Sequence, residues 1–240
     1  TGEFDNLTSF NNKEAGISAS QSRIDMRNSV ISGNENDGIE LDQASSLELR
    51  SSTISSNEDE GIEVEGSSYI KVRDSTISNN DDSAIQIDEG SVLDVRDSTI
   101  TGKSGKHAIA GFNKSIMILS EDDGSTVIST TNSDAIYLRN SHGEIRDGVV
   151  VSATGDNNYP SGIELFGGSS INIEGGATVS GTQNGGSVVG TMHSTIEIQH
   201  GSTVSSVLCS NDNTTTVALM SSGSNYSSAT IGNNCKTLRF

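Results

Sequence analysis

A repeat of about 23 residues runs through most of this 240-residue chain and constrains its fold more than any other feature. Each unit opens on a small residue followed by alternating apolar and polar residues, as in GIELD, GIEVE and AIQID. The spacing is 22 to 24 residues up to the fifth unit, then 27, 27 and 25. The eight units start at Gly16, Gly38, Gly61, Ala84, Ala108, Ala135, Gly162 and Ser187.

Within a unit, the alternation has a period of two, which is typical of strands with one buried face. The second unit has Ile39 and Leu41, then Leu47 and Leu49, then Ile54. Gly, Ser, Asn and Asp, which favour turns, separate these three runs. Three short strands per turn, with turns stacked about 4.8 Å apart, predict an all-β, single-stranded parallel β-helix of about eight turns.

Because equivalent residues of successive units become neighbours, the alignment also predicts columns of side chains. An Asn lies four residues before the opening small residue of the first four units and can hydrogen-bond along its column. This column stops where TGKSGKH replaces SSNEDE. On the second strand, the alignment places Met117 on the outward face between Asp94 and Glu144. The Asn column comprises Asn12, Asn34, Asn57 and Asn80.

The phrase VRDSTISNNDDSAIQI at residues 72–87, with its Asn before the Ala-Ile pair, resembles the repeat of the right-handed, pectin-lyase-like β-helix superfamily. The resemblance covers about residues 4–207. It implies a right-handed coil. Members of this superfamily include lyases, hydrolases, epimerases, phage tailspikes and non-catalytic surface proteins, so the resemblance implies no single activity.

The amino-acid composition limits the classes of molecule that this chain can bind. Asp and Glu total 32 against 14 Lys and Arg, a formal charge of −18, which disfavours nucleic acid and anionic membranes. No apolar run is long enough for membrane insertion. Cys209 and Cys235 are the two cysteines; a disulfide between them predicts an oxidising, secreted or cell-surface location. The alternative is two buried thiols.

The pattern predicts three segments. Residues 1–15 form a partial first turn or an improvised cap, residues 16–207 form the β-helix, and residues 208–240 form a C-terminal cap closed by the disulfide. Since the chain begins in the middle of a turn, we expect it to be the C-terminal part of a larger protein.

Acidic side chains follow the outward face of the first strand in units two to four. Carboxylates one turn apart are oxygen ligands of the kind that Ca²⁺ takes, so these residues predict a calcium site. The alternative is a solvated acidic face. The predicted ligands are Glu40, Asp42, Glu63, Glu65 and Asp88.

In units five to seven the same columns become aromatic, and a further aromatic residue lies in the turn GDNNYPSG. Outward rings interleaved with hydrogen-bonding charges suit sugar rings. The alternative is a satellite cluster buried under the longer turns. The predicted carbohydrate-binding residues are Phe112, Tyr137, Arg139, Tyr159, Glu164 and Phe166, and the candidate catalytic residues are Tyr137, Arg139, His107 and Glu164.

These observations favour an extracellular domain that binds a polysaccharide or cell-surface glycan. The first alternative is a polysaccharide lyase, epimerase or hydrolase acting in a groove on the first-strand face. The second is a calcium-stabilised adhesin or tailspike-like stalk. No compact catalytic motif separates the three.

Overall fold

In the computed structural model, the described residues form strands and turns without any helix. They are residues 1–156, 160–182, 186–199, 201–209, 214–220, 228–232 and 234–239. Each unit contributes three short strands, and like strands of successive units pair in parallel. The predicted all-β parallel β-helix is therefore confirmed. No helix that could cross a membrane occurs in this part of the chain.

The strands are named first, second or third by their order within a unit. The first strands are β3 (Ile17–Ser20), β6 (Ile39–Asp42), β9 (Ile62–Val64), β12 (Ile85–Ile87), β15 (Ile109–Phe112), β18 (Ile136–Arg139), β21 (Ile163–Phe166) and β24 (Val188–Gly190). The third strands are β2 (Thr8–Phe10), β5 (Val30–Ser32), β8 (Thr53–Ser55), β11 (Thr76–Ser78), β14 (Thr99–Thr101), β17 (Val127–Thr131), β20 (Val150–Thr154) and β23 (Thr178–Ser180).

The second strands form a separate sheet of eleven strands. They are β1 (Gly2–Asp5), β4 (Arg23–Arg27), β7 (Ser46–Arg50), β10 (Tyr69–Arg73), β13 (Val92–Arg96), β16 (Ile116–Ser120), β19 (His142–Ile145), β22 (Ser170–Ile173), β25 (Thr195–Ile198), β27 (Thr216–Leu219) and β29 (Lys236–Arg239). The long strand β26 (Thr203–Cys209) pairs with both β23 and β24, and with β28 (Ser228–Ile231) beyond it.

Strand pairing continues into both terminal segments. Residues 1–15 supply β1 and β2, which pair in parallel with β4 and β5. Residues 208–240 supply β27 and β29, which extend the second-strand sheet. The predicted disulfide between Cys209 and Cys235 is present, with an S–S distance of 2.02 Å. It ties β26 to the turn before β29.

One continuous apolar core fills the coil, built from the inward-facing residues of all three strand types. Ile39, Leu41, Leu49 and Ile54 of the second unit are fully buried. Neighbouring turns cover each turn from both sides, so few large side chains suffice. This geometry explains how a chain with only 31% hydrophobic residues builds a core.

The predicted Asn column is confirmed and is the main polar feature inside the coil. Asn34 Nδ2 donates to Asn57 Oδ1 at 2.8 Å, and Asn57 Nδ2 donates to Asn80 Oδ1 at 2.9 Å. The same oxygens accept backbone N–H groups from the preceding turn. Asn80 ends the column, and its buried Nδ2 has no acceptor within the described part of the chain.

The Asn column also explains the small residue that opens each unit. A Cβ on Gly38 would lie 2.5 Å from the Gly61 carbonyl oxygen and 2.7 Å from Asn57 Nδ2. Gly61 faces Asn80 and the Ala84 carbonyl in the same way. Once the Asn column has ended, Ala opens the next three units. An Asn from the following turn therefore occupies the space beside Gly38 and Gly61. Gly162, which opens unit seven without an Asn, is crowded instead by the Ser180 and Ser187 carbonyl oxygens, at 2.6 and 2.8 Å from its Cβ position.

Two buried serine columns were not predicted. In one, the backbone N–H groups of Ser45 and Ser68 each donate to the serine hydroxyl of the next turn, at 3.1 Å. In the other, Ser52 N–H donates to Ser75 Oγ, and Ser75 N–H donates to Ser98 Oγ. These hydroxyls satisfy backbone donors at the corners of the coil. The signal in the sequence is a Ser two residues after Arg50, Arg73 and Arg96, which the alternation pattern does not explain.

The predicted outward position of Met117 is wrong. Met117 is fully buried and pairs with Leu93, whereas Ile118 pairs with Asp94 and with Glu144. Four consecutive apolar residues, 116–119, give this strand no alternation from which to read the inward face.

Candidate functional site

The strand register brings the predicted binding residues of units five to seven onto one surface. Tyr137 lies beside Glu164 in the column that begins with Ala110. Phe112, Arg139 and Phe166 form the adjacent column. We call the surface formed by His107, Phe112, Tyr137, Arg139, Glu164 and Phe166 the aromatic face. Tyr159, predicted to line the same surface, lies outside the described residues.

Three rings of the aromatic face form a contiguous stack. The His107 and Tyr137 rings are 5.2 Å apart and nearly parallel, at 20°. The Phe112 ring is tilted by 52° against Tyr137, with centroids 5.8 Å apart. All three side chains keep partial solvent exposure, so the longer turns do not close over them. The stack is a pre-formed apolar surface of the kind that receives a sugar ring.

The hydrogen bonds of His107 determine which of its two ring nitrogens is the acceptor. Its Nδ1 lies 3.0 Å from the Asp134 carbonyl oxygen and 3.2 Å from Ser133 Oγ. A carbonyl oxygen only accepts, so Nδ1 carries the proton. In the neutral ring, Nε2 is then left as the acceptor for a ligand hydroxyl.

Arg139 supplies the positive charge of the aromatic face. Its guanidinium carbon lies 5.7 Å from the centre of the Phe166 ring, a cation–π contact. The side chain is exposed, and it makes no salt bridge with any carboxylate of the described residues. Arg139 therefore lies against Phe166, and its exposed guanidinium can donate to a ligand.

Glu164 and the unpredicted Asp134 form a carboxyl pair at the edge of the aromatic face. Burial and its hydrogen bond with Asp134 raise the pKa of Glu164 to about 7. Asp134 Oδ1 accepts from Ser161 N–H at 2.7 Å and from Ser161 Oγ at 2.6 Å. Burial, followed by the Glu164 charge, also raises the pKa of Tyr137. The pair can hold a proton near neutral pH, next to a phenol that stays protonated.

Two lysines near the aromatic face are engaged elsewhere. Lys103 Nζ binds Asp81 at 2.6 Å, and Lys106 Nζ binds Asp82 at 2.7 Å. The Asp82 carboxylate raises the pKa of Lys106, which keeps the ammonium protonated and unsuited to act as a base. These ion pairs connect the acidic turn of unit three to the first long turn, at residues 102–107.

The predicted calcium ligands occupy neighbouring positions in two columns rather than one convergent group. Glu40 pairs in register with Glu63, and Gln86 Nε2 donates to Glu63 Oε1 at 3.0 Å. Burial, then the Asp37 charge, raises the pKa of Glu63 to about 7. Of the other predicted ligands, Asp42 and Asp88 accept the N–H of the next residue, and Glu65 lies in unit three beside Glu63.

A different acidic group converges in the adjacent turns. Ligand oxygens of Asp37, Asp59 and Glu60 lie within 4.8 Å of one another, and Asp37 and Glu60 are buried. Burial and the neighbouring carboxylates raise the pKa of Asp37 to about 6 and that of Glu60 to about 9. The sequence places Asp59 and Glu60 in an acidic turn beside the predicted columns, but it does not indicate that they converge with Asp37, because in a turn a period of two no longer gives the direction of a side chain.

The arginine column of the second-strand sheet is a salt-bridged face. Arg27 binds Asp25 at 2.8 Å, and Arg50 binds Glu48. Arg73 and Arg96 both reach Asp122, at 3.5 and 3.4 Å. The alternating signs offset the repulsion between stacked guanidinium groups.

Comparison with known proteins supports the fold. A family model described as "Right handed beta helix region" matches residues 1–131. No curated protein matches. Among solved structures, the catalytic unit of a thermostable GH87 alpha-1,3-glucanase from Streptomyces thermodiastaticus strain HF3-3 is similar, with 15% identity and a TM-score of 0.48. The alignment covers 93% of this chain and 50% of that one, so the chain spans about half the length of that structure.

Proposed function

The chain belongs to the family of right-handed β-helix regions, and on that premise we propose that its aromatic face binds a polysaccharide. The observation that carries this proposal is the stack of His107, Tyr137 and Phe112, three partly exposed rings in contact on one surface. Such a surface is costly to leave in water unless it meets a ligand.

The polar groups around the rings match the hydroxyls of a sugar. His107 Nε2 can accept, the Arg139 guanidinium can donate, and Glu164 can do either according to its protonation state. Because successive turns rise about 4.8 Å, units five to seven offer a surface about 10 Å long. A polysaccharide chain can therefore contact more than one turn at once.

The Cys209–Cys235 disulfide supports an extracellular location, since such bonds persist in oxidising compartments. We therefore propose that the ligand is a secreted polysaccharide or a glycan on a cell surface.

Affinity electrophoresis through gels that contain single soluble polysaccharides, neutral or acidic, tests the proposal. Retardation by at least one polysaccharide is expected. Tyr137→Ala should weaken it about tenfold, because an aromatic ring packed on a ligand contributes on the order of 1–2 kcal/mol. Phe10→Ala is the matched control, since Phe10 is 59% exposed on β2, away from the aromatic face. Free migration in every gel, or equal loss in both variants, would contradict the proposal.

A second candidate function, glycoside hydrolysis, is favoured by the carboxyl pair of Glu164 and Asp134. A carboxyl group with a pKa near 7 can donate a proton to the leaving oxygen of a glycosidic bond. Asp134 holds that proton through the hydrogen bond that the two carboxyls share, and after the leaving group departs the attacking water can pass its proton back to the Glu164 carboxylate. Shortening of a retained polysaccharide on size-exclusion chromatography would establish hydrolysis, provided that Glu164→Gln abolishes it and keeps the retardation. A polysaccharide that is retained but not shortened would mean that the protein binds it without hydrolysing it.

A further inference from the structure

A serine, a histidine and a glutamate are hydrogen-bonded in series where β19 and β22 lie side by side. The strand register places His142 directly beside Ser170 of the next turn. His142 Nδ1 and Ser170 Oγ are 2.7 Å apart, and His142 Nε2 lies 3.4 Å from Glu144 Oε1. This is the order of groups that activates a serine nucleophile, and its longer contact is of a kind that tightens when a substrate binds.

Glu144 determines the direction of both hydrogen bonds. Its carboxylate, which Arg146 binds through the other oxygen, only accepts hydrogen bonds, so His142 Nε2 carries the proton and donates it. In the neutral ring Nδ1 is then the acceptor, and the Ser170 hydroxyl donates to it. The imidazole is therefore oriented to take the proton of Ser170.

Other turns of the same sheet separate this arrangement from ordinary salt bridging. Glu48 binds Arg50 on β7 just as Glu144 binds its own arginine, so an acid–arginine pair alone belongs to the salt-bridged face. Two residues before the acid, however, β7 has Ser46 where β19 has His142. The histidine and the serine beside it are additions to a pair that the coil uses elsewhere for stability.

Hydrogen-bond donors for a developing negative charge flank Ser170. Asn172 follows it on the same outer face of β22, and Asn172 Oδ1 accepts from Gln199 Nε2 at 3.2 Å. That bond leaves the Asn172 Nδ2 hydrogens for a substrate. On the other side, Thr195 is in register with Ser170 and is exposed. Both groups can donate to the oxyanion that forms when Ser170 attacks a carbonyl carbon.

We propose that Ser170 and His142, positioned by Glu144, hydrolyse small acyl esters such as acetyl esters. Ser170 Oγ attacks the carbonyl carbon and its proton passes to His142 Nδ1. The ester C–O bond then breaks as His142 returns that proton to the leaving alkoxide oxygen. Water, deprotonated by His142, attacks the acyl-serine, releases the carboxylic acid and restores the Ser170 hydroxyl.

The openness of this face favours a small acyl group. The His142 side chain is 41% exposed, so an ester can reach Ser170 directly, while a long acyl chain would find no enclosing walls. The site goes beyond the proposed function, because it lies on the other sheet and uses no residue of the aromatic face.

Hydrolysis of p-nitrophenyl acetate by the whole chain tests the site. Ser170→Ala and His142→Gln should each lower the rate by about a hundredfold or more. Glu144→Gln should lower kcat about tenfold and leave KM unchanged, because its carboxylate acts only through His142. Ser46→Ala and Glu48→Gln are the matched controls, since both residues lie on β7 in the columns of His142 and Glu144. They should change neither parameter.

A fluorophosphonate probe distinguishes a serine nucleophile from a histidine that reacts alone, since imidazole also attacks p-nitrophenyl acetate. Mass spectrometry should find the probe on Ser170, and His142→Gln should slow this labelling about a hundredfold. Absence of labelling, labelling that His142→Gln does not slow, or ester hydrolysis that survives Ser170→Ala would overturn the site. A protein that is labelled at Ser170 but migrates freely through every polysaccharide gel would keep this inference while the proposed function fails.

Discussion

Units one to three and units five to seven form one continuous coil but differ inside and outside. In the first region the opening residue is Gly16, Gly38 or Gly61, with an Asn of the next turn packed against it. In units five and six it is Ala, with no Asn column above. The outward first-strand columns change in parallel, from carboxylates to the aromatic face.

The comparison shows that the buried residues that stabilise the coil and the candidate ligand-binding residues lie in different regions of the chain. Units one to three, which we call the regular region, repeat the same buried hydrogen bonds in every turn. These bonds fix the length of the turns. Beyond Asn80 this constraint is gone, and units five and six are 27 residues apart. The candidate ligand residues lie where the internal column no longer limits the turns.

The largest expected effect is on the regular region. Asn57→Ala removes a buried side chain that accepts from Asn34 and donates to Asn80. Unsatisfied buried groups cost about 1–3 kcal/mol each, so we expect the free energy of unfolding to fall by about 3 kcal/mol in urea titrations. Asn172→Ala, on the outer face of β22, removes a single part-buried hydrogen bond, from Gln199 Nε2 at 3.2 Å, and should cost no more than about 1 kcal/mol. Equal costs would mean that the Asn column does not stabilise the coil.

A smaller effect on the free energy of unfolding should distinguish Gly from Ala as the opening residue of a unit. Gly61→Ala places a methyl group against Asn80 Nδ2 and 2.5 Å from the Ala84 carbonyl oxygen, and overpacking of this kind costs about 2 kcal/mol. Ala108→Gly, where no Asn intrudes, should cost about 0.5–1 kcal/mol through backbone entropy. Urea titrations measure both. In an Asn80→Ala background the cost of Gly61→Ala should decrease; an unchanged cost would place the clash on the backbone alone.

The sequence predicts the coil and most of its register, because a repeat with a period of two leaves few alternatives. Tyr137 beside Glu164 follows directly from aligned units. The prediction fails at Met117, where four apolar residues in succession remove the alternation. Such an alignment predicts only some of the polar residues inside the coil. It identifies Asn57, which lies at a fixed offset from the start of a unit, but it does not identify Ser52.

The candidate site is less predictable from the sequence because several of its functional side chains belong to turns. Asp134 directly precedes Ala135, and its carboxylate direction depends on the bond to Ser161 in the next turn. The converging trio of Asp37, Asp59 and Glu60 depends on turn geometry in the same way. Alignment places residues in a turn but does not give the direction of their side chains.

Calcium binding by the acidic region stays a prediction, and the two acidic sets can be told apart. An ion at ten times its Kd stabilises the folded state by about 1.4 kcal/mol, which corresponds to a rise in Tm of about 3–6 °C. Asp59→Asn should abolish the rise if the ion lies in the converging trio. Asp42→Asn should abolish it if the ion lies in the predicted columns. A Tm that calcium does not change would exclude both sites.

The smallest effect is the pH dependence of the acidic region. The pKa of Glu63 is about 7 in the folded protein, against 4.5 for an ordinary Glu. The folded state therefore binds more protons than the unfolded chain between these values, and stability falls as the pH rises through 7. With solvent screening of this half-exposed group, we expect Glu63 to contribute about 2–4 °C to a Tm that is higher at pH 5.5 than at pH 8. The raised pKa values of Asp37, Glu60 and Glu164 add to the difference in the same direction.

Glu63→Gln should reduce this difference, since an amide occupies the same column at Gln86 without titrating. Glu14→Gln, at an exposed acid of the N-terminal segment 1–15, controls for the net charge of −18. If both variants flatten the profile equally, overall repulsion rather than the half-buried Glu63 carboxylate sets the pH dependence. The acidic columns would then be a solvated face, and the contrast with units five to seven would lie in surface chemistry alone.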